Sequence, residues 1–424
     1  METQKSTKRG FIREKVHNSV YKPREDSYLI LDQIRKYARG NVLDMGTGTG
    51  ILAINASSKA DFVYGTDINQ KAINYAKKSS EGIKNIKFIK SDLFNYFKKN
   101  PETFDLIIFN PPYLPEEKYE PKESALATTG GKKGYELLNK FLKQSSKYLK
   151  PDGKILILFS TLTNTKKVHE IIEDYGFNYH KLAEQSFFFE TLFVYLLEKS
   201  DFLIELEDEG ITDIEKLTKG HRGIIYTGKL NKTKVAVKTK NPESKAMGRI
   251  YNEARWLRLL NKYSIGPKII MHDKDYFIYK FAKGMFFPEF IEKNNKTKIK
   301  QIIKEIFNQC FKLDQLKINK EEMHHPYKHI IIDKKPILID ARKSKISGIH
   351  KTTKVVLLDF ERTHKTLKPQ NVTQFCQYIT SGNLAKILKS KGFRISKAKI
   401  VNLAGKYKKN MTKINLDKIT GSIQ

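Results

Sequence analysis

Cysteine is nearly absent from this sequence: among 424 residues, only Cys310 and Cys376 are present. Two cysteines exclude a disulfide framework and a four-cysteine zinc site, and they suit a reducing compartment. No stretch approaches 18 uninterrupted apolar residues, which argues against a transmembrane helix. The opening residues METQKSTKRG lack the apolar centre of a secretion signal. We therefore expect a cytoplasmic protein that does not bind a membrane.

Acidic residues are also scarce, with 46 Asp and Glu against 79 Lys and Arg and a formal net charge of +33. Residues 1–200 carry 32 basic against 24 acidic residues, whereas residues 201–424 carry 47 against 22. Such a positive second half favours contact with nucleic acid or another polyanion. A genome rich in Lys, Ile and Asn codons would also produce Lys-rich surfaces, and this interpretation stays open.

The first half alternates short apolar runs with helical patterns. Helical periodicity appears in INQKAINYAKKSS (68–80) and YELLNKFLKQSSKYLK (135–150). This alternation is typical of an α/β fold with a doubly wound, mostly parallel sheet. The predicted strands are VLDM (42–45), FVYGTD (62–67), IKFIK (86–90), FDLIIFN (104–110) and KILILFS (154–160).

The pattern changes near residue 200. SFFFETLFVYLLEKS (186–200) is predicted to be one further strand, and the acidic segment SDFLIELEDEGIT (200–212) to be a break between domains. We predict an α/β domain over 1–200, a second domain over 201–364 and a basic helical part over 365–424.

A glycine-rich turn, Asp44-Met45-Gly46-Thr47-Gly48-Thr49-Gly50, follows the first predicted strand. Glycine lets the main chain approach a bulky ligand closely at the carboxyl end of a strand, where open sheets bind ligands. Asp67 ends the second strand, where a carboxylate can accept hydrogen bonds from both ribose hydroxyls, and Asp92 follows the third, placed to reach an adenine amine. Together they predict a site for S-adenosylmethionine. A nicotinamide dehydrogenase would explain the turn, and a strand-end Asp is often only a helix cap.

The motif Asn110-Pro111-Pro112-Tyr113 ends the fourth predicted strand. An amide or amino nitrogen conjugated to a carbonyl or a ring is a poor nucleophile, because its lone pair is delocalised. The Asn110 side-chain oxygen and the Pro111 carbonyl would accept hydrogen bonds from its two N–H groups. The prolines stiffen the loop, and the Tyr113 ring offers a flat surface to a flat substrate. The motif predicts methyl transfer by positioning and electrostatics; the structural alternative is a proline-stiffened turn.

Together these motifs resemble those of the HemK-type methyltransferases, which modify the glutamine of the Gly-Gly-Gln motif in translation release factors. The resemblance covers about residues 15–200 and rests on VLDMGTGTG, TDIN, SDLF and NPPY. The segment from Val20 to Ser27, VYKPREDS, resembles the opening of the short archaeal and eukaryotic branch, and SFFFETLFVYLLEK resembles its last strands. Lys133 stands where the family often has an acidic residue.

The resemblance implies a Rossmann-like class I methyltransferase fold. It leaves open an obligate small partner subunit, which completes the methyl-acceptor site in some relatives of the short branch. The catalytic residues that it implies are Asn110, Pro111, Pro112 and Tyr113. The cofactor-binding residues that it implies are Tyr21, Asp44, Gly46, Thr47, Gly48, Gly50, Asp67, Ile68, Asp92, Leu93 and Asn110.

The motif alone does not separate a glutamine amide from an adenine amine, since both present a conjugated NH2 group. Adenine methyltransferases usually carry a target-recognition region that extracts the base, and none is visible in residues 1–200. This favours a protein substrate, a translation release factor. The alternative is an adenine methyltransferase on DNA or RNA whose basic second half binds the nucleic acid.

The second half contains the parts of a nucleotide site in sequence order. A hairpin with Gly220 and Gly223 precedes KVAVK, which ends in Lys238, and Glu253 follows 15 residues later on a predicted helix. A kinase covers ATP phosphates with such a hairpin and places such a Lys on them. VVLLDFER places Asp359 at a strand end, as a Mg²⁺ ligand. The order resembles small atypical kinases of the RIO or Bud type, which implies an α+β kinase-like domain binding ATP and Mg²⁺.

Catalysis by this domain stays open. In the segment EEMHHPYKH, His324 takes the position of the catalytic aspartate and His329 that of the metal-binding asparagine. Asp340 competes with Asp359 for the metal, and a zinc site built from the histidines is a further alternative. The basic tail is predicted to contact RNA phosphates or to be only a solvated helix. The second half is therefore a kinase or a pseudokinase tether to RNA or the ribosome.

Overall fold

A computed structural model of the chain describes residues 20–116, 121, 128–244, 248–321, 323–339 and 348–424, and at 334–339 and 348–352 it describes the main chain alone. The chain forms two compact units. The first comprises Met1–Leu217 with Gly228–Lys232, and the second comprises Thr218–Thr227 with Thr233–Gln424. The division into three parts at residues 200 and 364 stays a prediction.

A mostly parallel sheet forms the centre of the first unit. Its strands, with one separate short pair, are β1 Asn41–Met45, β2 Phe62–Asp67, β3 Ile86–Lys90, β4 Phe104–Phe109, β5 Leu114–Pro115, β6 Thr129–Gly131, β7 Leu149–Ser160, β8 Phe177–Ser186 and β9 Thr191–Lys199. The sheet order is β3-β2-β1-β4-β7-β9-β8, while β5 and β6 pair with each other. Strands β3, β2, β1, β4 and β7 pair in parallel, and β9 runs antiparallel to both of its neighbours, β7 and β8. This arrangement confirms the predicted Rossmann-like fold.

At its central strands β1, β4 and β7 the sheet is buried on both faces, because successive strand residues face opposite sides and both sets are apolar. Leu106 and Ile108 of β4 join one apolar cluster with residues of the first three helices. Phe109 faces the other side, where its ring packs on Phe141 at a centroid distance of 4.2 Å. The helices of the first unit are α1 Glu25–Tyr37, α2 Ile51–Ala56, α3 Gln70–Ser79, α4 Glu136–Ser145, α5 Thr165–Asp174 and α6 Asp201–Asp208.

Two local predictions were wrong. Residues 186–200 do not form one strand: β8 ends at Ser186, the chain turns over Phe187–Glu190, and β9 begins at Thr191. Residues 200–212 are not a break, because α6 occupies most of them and buries Leu203 and Leu206. An amphipathic stripe three residues apart is enough to anchor this short acidic helix.

The later strands are β10 Ile211–Lys219, β11 Gly223–Leu230, β12 Thr233–Lys240, β13 Ile269–His272, β14 Tyr276–Lys280, β15 Gly284–Phe286, β16 Ile318–Asn319, β17 Ile330–Ile339, β18 Gly348–Leu357 and β19 His364–Lys365. Strands β10 to β14 form a sheet in the order β10-β11-β12-β14-β13. Strand β17 pairs antiparallel with both β15 and β18.

One apolar core runs through the second unit. It joins Ala236 of β12 to Trp256, Phe307 and the C-terminal Leu416. The helices are α7 Arg249–Asn261, α8 Phe287–Lys293, α9 Lys296–Gln315, α10 Asn371–Thr380, α11 Gly382–Ser390, α12 Lys397–Lys409 and α13 Lys413–Gly421. None of the described helices combines the length and apolar composition needed to cross a lipid bilayer.

Candidate functional site

A cavity of about 1100 Å³ opens at the carboxyl ends of β1, β2 and β4. This is the end at which open α/β sheets bind ligands, and the volume exceeds the roughly 300–1,000 Å³ of ordinary small-molecule sites. The predicted residues that line it are Tyr21, Gly46, Thr47, Gly48, Asp67, Ile68, Asp92, Leu93, Asn110, Pro111, Pro112 and Tyr113.

Hydrogen bonds to the carboxylates of Asp44 and Asp67 fix the glycine-rich turn. Asp44 is fully buried, and its Oδ2 accepts hydrogen bonds from Thr47 Oγ1 at 2.6 Å and from the Ala53 main-chain N–H at 3.1 Å. The Gly48 N–H donates to Asp67 Oδ2 at 3.0 Å. Gly50 begins α2 with φ of 83°. Neither Asp44 nor Gly50 lines the cavity, but both shape the turn that does.

Gly48 shows why this turn takes glycine. Its φ is +54°, a left-handed conformation that other residues rarely adopt. A Cβ there would meet only the Tyr21 carbonyl oxygen, at 4.0 Å, so the main chain is open to the cavity. Leu93 lines the same cavity with φ of +44°. Such strain in a residue other than glycine is typical of functional sites.

Burial governs the carboxyl groups at this end of the sheet. It raises the pKa of Asp44 to about 7, although hydrogen bonds from Thr47 and Ala53 oppose the rise. It also raises the pKa of Asp67, against main-chain hydrogen bonds from Asn69 and Gly48. Asp67 nevertheless has unused lone pairs, because each carboxylate oxygen can accept more than one hydrogen bond.

Asn110 is oriented by a residue that the sequence patterns did not assign to the site. Its Nδ2 donates to Asp26 Oδ2 at 3.0 Å, across 84 positions of the chain. Asp26 is buried and also accepts from the Tyr21 hydroxyl at 3.0 Å and from the Ser27 main-chain N–H at 2.6 Å. A carboxylate only accepts, so the Asn110 amide must point its nitrogen at Asp26. Its Oδ1 is buried and has no hydrogen-bond partner among the described residues.

The loop after Asn110 is supported closely by main chain. Thr163 Oγ1 donates to the Tyr113 carbonyl at 3.0 Å. A Cβ on Gly130 would lie 2.6 Å from the Pro112 carbonyl oxygen, and one on Gly134 would lie 2.4 Å from that of Tyr113. Burial, with the charges of Asp26 and Glu190, raises the pKa of the Tyr113 hydroxyl, which therefore stays protonated. The predicted stiffness of the loop thus comes from neighbouring main chain as well as from its prolines.

The second unit contains a separate charged cluster at Lys238. Lys238 Nζ lies 2.5 Å from Glu253 Oε2 and 3.9 Å from Asp359 Oδ1. Glu253 Oε1 accepts from the Phe360 main-chain N–H at 3.1 Å. Burial alone would lower the pKa of Lys238, but the carboxylates of Glu253 and Asp359 outweigh it and raise that pKa, so the ammonium stays charged. Residues from three separate parts of the sequence thus meet in one cluster, in which the carboxylates of Glu253 and Asp359 face the Lys238 ammonium.

Asp359 is the carboxylate most available for a ligand. Glu253 is bound to Lys238, and Glu361 Oε1 lies 3.3 Å from an Arg222 nitrogen and 3.0 Å from one of Arg249. Burial would raise the pKa of Asp359, but Lys238, Lys320 and His329 together lower it. Its φ of +62° is strained. Oxygens of Glu253, Asp359 and Glu361 lie within 4.8 Å of one another, close enough for a divalent ion.

His324 and His329, which the sequence assigned to one catalytic loop, differ in their surroundings. His329 Nε2 lies 3.6 Å from Asp359 Oδ2, whereas His324 is exposed with its ring centroid 6.1 Å from that of His325. A nitrogen beside Asp359 departs from the all-oxygen set that Mg²⁺ prefers. Asp340, the competing metal ligand, and Glu322 lie outside the described residues.

The predicted glycine hairpin forms as a tight turn. The Gly220 N–H donates to the Gly223 carbonyl at 2.9 Å, and Asn241 Nδ2 donates to the Gly220 carbonyl at 3.0 Å. Gly223 lies against Lys238, since a Cβ there would meet the Lys238 side chain at 3.4 Å. The turn and the Lys238 cluster therefore lie together.

Residues 37–216 match the family model described as a methyltransferase domain. A Methanocaldococcus jannaschii protein, provisionally named a protein N5-glutamine methyltransferase, is 38% identical over 187 residues, which are 43% of this chain and 93% of that protein. The release factor glutamine methyltransferase of Fusobacterium nucleatum is 31% identical over 180 residues, 38% of this chain and 50% of that protein's length. Among solved structures, an E. cuniculi Mtq2-Trm112 complex, described as responsible for methylation of the eRF1 translation termination factor, has 24% identity and a TM-score of 0.35. It covers 43% of this chain and 99% of that one.

Proposed function

The N-terminal part of this chain belongs to the protein N5-glutamine methyltransferase family, and from this membership we propose that it methylates the side-chain amide nitrogen of a glutamine. The proposed acceptor is the Gly-Gly-Gln motif of a translation release factor, and the proposed donor is S-adenosylmethionine. The observation that carries the proposal is the Asn110 amide, whose nitrogen is held by Asp26 and whose buried oxygen has no partner among the described residues. That oxygen is an acceptor prepared for an N–H group.

The lining of the cavity fits the donor. S-adenosylmethionine, when bound, supplies a methyl group activated on a sulfonium. Gly46 and Gly48 would let its bulky centre approach the main chain, and Asp67 would accept hydrogen bonds from ribose hydroxyls. Asp92, with Ile68 and Leu93 beside it, would hold the adenine. Tyr21, in the segment before α1, also lines the cavity.

The acceptor residues address the weak nucleophilicity of an amide nitrogen. Asn110 Oδ1 and the Pro111 carbonyl would accept hydrogen bonds from the two N–H groups of the substrate amide. These bonds would fix the nitrogen in place and return electron density to its lone pair. Because Asp26 already orients Asn110, no reorientation is needed when the substrate arrives, and such preorganised groups contribute most of the acceleration in reactions of this kind. Tyr113, neutral and partly buried, would pack on the flat amide.

Methyl transfer from radiolabelled donor tests this proposal. The full chain is incubated with the release factor, with duplex DNA and with tRNA, in parallel with the Asn110→Ala variant. We expect label in the release factor glutamine and loss of about 10²–10³ in rate for the variant, with donor binding unchanged. Label found only in adenine would refute the protein substrate. Adding candidate small subunits to the same assay tests the predicted partner.

We also propose that the second unit is a kinase-like nucleotide-binding domain. The supporting observation is the Lys238 cluster: a buried ammonium between Glu253 and Asp359, with the glycine turn at Gly223 against it. A cation in this position would pair with ATP phosphates, and Asp359 would hold Mg²⁺. His324 and His329 replace the usual catalytic carboxylate and amide, so binding without phosphotransfer, as in a pseudokinase, is the form we favour.

Binding of fluorescent ATP with Mg²⁺ or Mn²⁺ tests the second proposal. Affinity that disappears in Lys238→Ala supports it, and equal affinity in both proteins contradicts it. Phosphate release or transfer would show an active kinase.

The tail 365–424, with 13 Lys and Arg against one Asp, is proposed to contact RNA phosphates. Filter binding of RNA should then weaken steeply as salt is raised.

A further inference from the structure

The turn between β8 and β9, Phe187–Glu190, carries aromatic residues where a hairpin normally carries small polar ones. The Phe187 N–H donates to the Glu190 carbonyl at 2.7 Å, which leaves Phe188 and Phe189 at the tip. Tight hairpin turns favour Gly, Asn and Asp because those residues suit the backbone. The turn is anchored from outside, since the Thr191 N–H donates to Thr161 Oγ1 at 3.0 Å. Backbone chemistry therefore does not account for the phenylalanines.

The two tip rings are exposed to solvent. Phe188 is 93% exposed and Phe189 is 84% exposed, and their rings contact each other edge to face at 4.7 Å. Single exposed apolar residues are ordinary, whereas these two rings form one contiguous exposed apolar pair. We call Phe187–Glu190 the aromatic turn.

The aromatic turn lines the cavity that contains the acceptor motif. All four of its residues contribute to that cavity, together with Asn110 to Tyr113. Glu190 is close enough to Tyr113 for its charge to contribute to the raised pKa of that hydroxyl. A ligand that lies over the aromatic turn therefore also reaches the loop proposed to hold the acceptor nitrogen.

Glu190 presents an unused acceptor at the same place. Its Oε2 is buried and has no hydrogen-bond partner among the described residues. A buried polar atom is normally paired, so this carboxylate oxygen is suited to a donor that arrives with the substrate. A peptide N–H is such a donor, whereas the phosphates of a nucleic acid would be repelled by the carboxylate.

We propose that the aromatic turn grips the substrate main chain beside the acceptor glutamine, with Glu190 accepting a peptide N–H and Phe188 and Phe189 packing on the flanking residues. The proposal rests on the proposed function, since it takes the acceptor to be a glutamine within a polypeptide. Exposed rings beside a carboxylate match an extended peptide, which offers N–H donors and apolar surface together. Aromatic rings also stack on nucleobases, so an oligonucleotide is the competing occupant.

Steady-state kinetics of the full chain with the release factor test this role. In the double variant Phe188→Ala with Phe189→Ala, we expect KM for the release factor to rise by about tenfold or more while kcat stays within about twofold, because lost ground-state binding raises KM alone. For Glu190→Gln we expect KM to rise by about fivefold. Replacing both phenylalanines by tyrosine should keep KM within about twofold of wild type.

The controls separate binding from folding and from failure of the underlying function. Leu367→Ala removes another exposed apolar side chain, one that is 81% exposed and lies in the second unit, and should leave KM unchanged. Thermal midpoints and donor affinity should be equal in all variants. Unchanged KM in the alanine pair, with the release factor still methylated by wild type, would overturn the role of the turn alone. Wild-type methylation of an oligonucleotide, weakened by the alanine pair, would overturn the peptide occupant and the proposed function together.

Discussion

Replacing Asp26 by Asn tests how the protein orients Asn110. The Ser27 main-chain N–H, 2.6 Å from Asp26 Oδ1, would hold the oxygen of the introduced amide in that position. The introduced NH2 group would then occupy the position of Oδ2, which now accepts from Asn110 Nδ2 at 3.0 Å. Two NH2 groups cannot hydrogen-bond to each other, so Asn110 must turn its amide over. Its oxygen would then face residue 26, and its nitrogen would face the substrate.

The magnitude follows from the bonds that change. The variant loses two hydrogen bonds to the charged Oδ2, from Asn110 Nδ2 and from the Tyr21 hydroxyl, at about 1.5–3 kcal/mol each, and it restores neutral ones after the Asn110 amide and the Tyr21 hydroxyl turn. The transition state loses one positioned acceptor, which in comparable sites costs about 10²–10³ in kcat, or roughly 2.7–4 kcal/mol. We therefore expect D26N to reduce kcat by about 10²-fold or more. Donor affinity should fall much less than kcat, because the Tyr21 hydroxyl can accept from the introduced NH2 group and so keep its position.

The assay is methyl transfer to the release factor at saturating donor, with donor binding measured by calorimetry. Asp105→Asn is the matched control. Asp105 accepts from the Asn41 N–H at 2.7 Å and pairs with Lys150 at 2.8 Å at the opposite end of β4. That variant should lose stability and keep its kcat. A D26N protein with kcat within threefold of wild type would refute the orientation argument, and a selective loss of donor affinity would assign Asp26 to the cofactor instead.

Three further predictions follow from single residues. Gly134→Ala should lower kcat about tenfold and the free energy of unfolding by about 1–3 kcal/mol, because φ is +83° and its Cβ would lie 2.4 Å from the Tyr113 carbonyl oxygen. Gly82→Ala, with φ of +86° and nothing within 4 Å of the added Cβ, isolates the backbone contribution and should keep kcat. Burial raises the pKa of Asp44 to about 7 from 3.8, so folding favours the protonated carboxyl, and its stabilising effect is lost as pH rises from about 4 through about 7. Thermal melts across that range should therefore show wild type declining relative to Asp44→Asn, and parallel curves would contradict the assignment. Glu253→Gln should weaken ATP binding about tenfold by releasing Lys238 from its carboxylate, and unchanged affinity in a titration would exclude this ion pair from the nucleotide site.

Much of the first unit could be predicted from local sequence. The short apolar runs of β1 and β4 are buried on both faces, so each is recognisable without knowledge of its neighbours. The glycine turn after β1 and the NPPY loop after β4 follow strand ends in a parallel order, which brings them to one edge of the sheet. These local patterns explain why the predicted methyltransferase fold of the N-terminal part agrees with the structure.

Local patterns failed where pairing decides the structure. The run SFFFETLFVYLLEKS has no Gly, Pro, Asn or Asp to signal a turn, and it bends at Phe187–Glu190 because β9 pairs with both β7 and β8. Helix α6 was not predicted, because its acidic composition is typical of a linker and only the burial of Leu203 and Leu206 distinguishes it from one.

The sequence by itself determined which groups the chain carries: a glycine-rich turn that we propose binds the donor, an NPPY loop that we propose holds the acceptor nitrogen, and a Lys–Glu–Asp set in the second half. The tertiary structure decided how those groups point. The contact between Asp26 and Asn110 joins residues 84 positions apart, and no spacing rule reveals a hydrogen bond over such a separation. It forms because the first turn of α1, which carries Asp26, lies against the end of β4, and that contact fixes the Asn110 amide with its oxygen unpaired among the described residues.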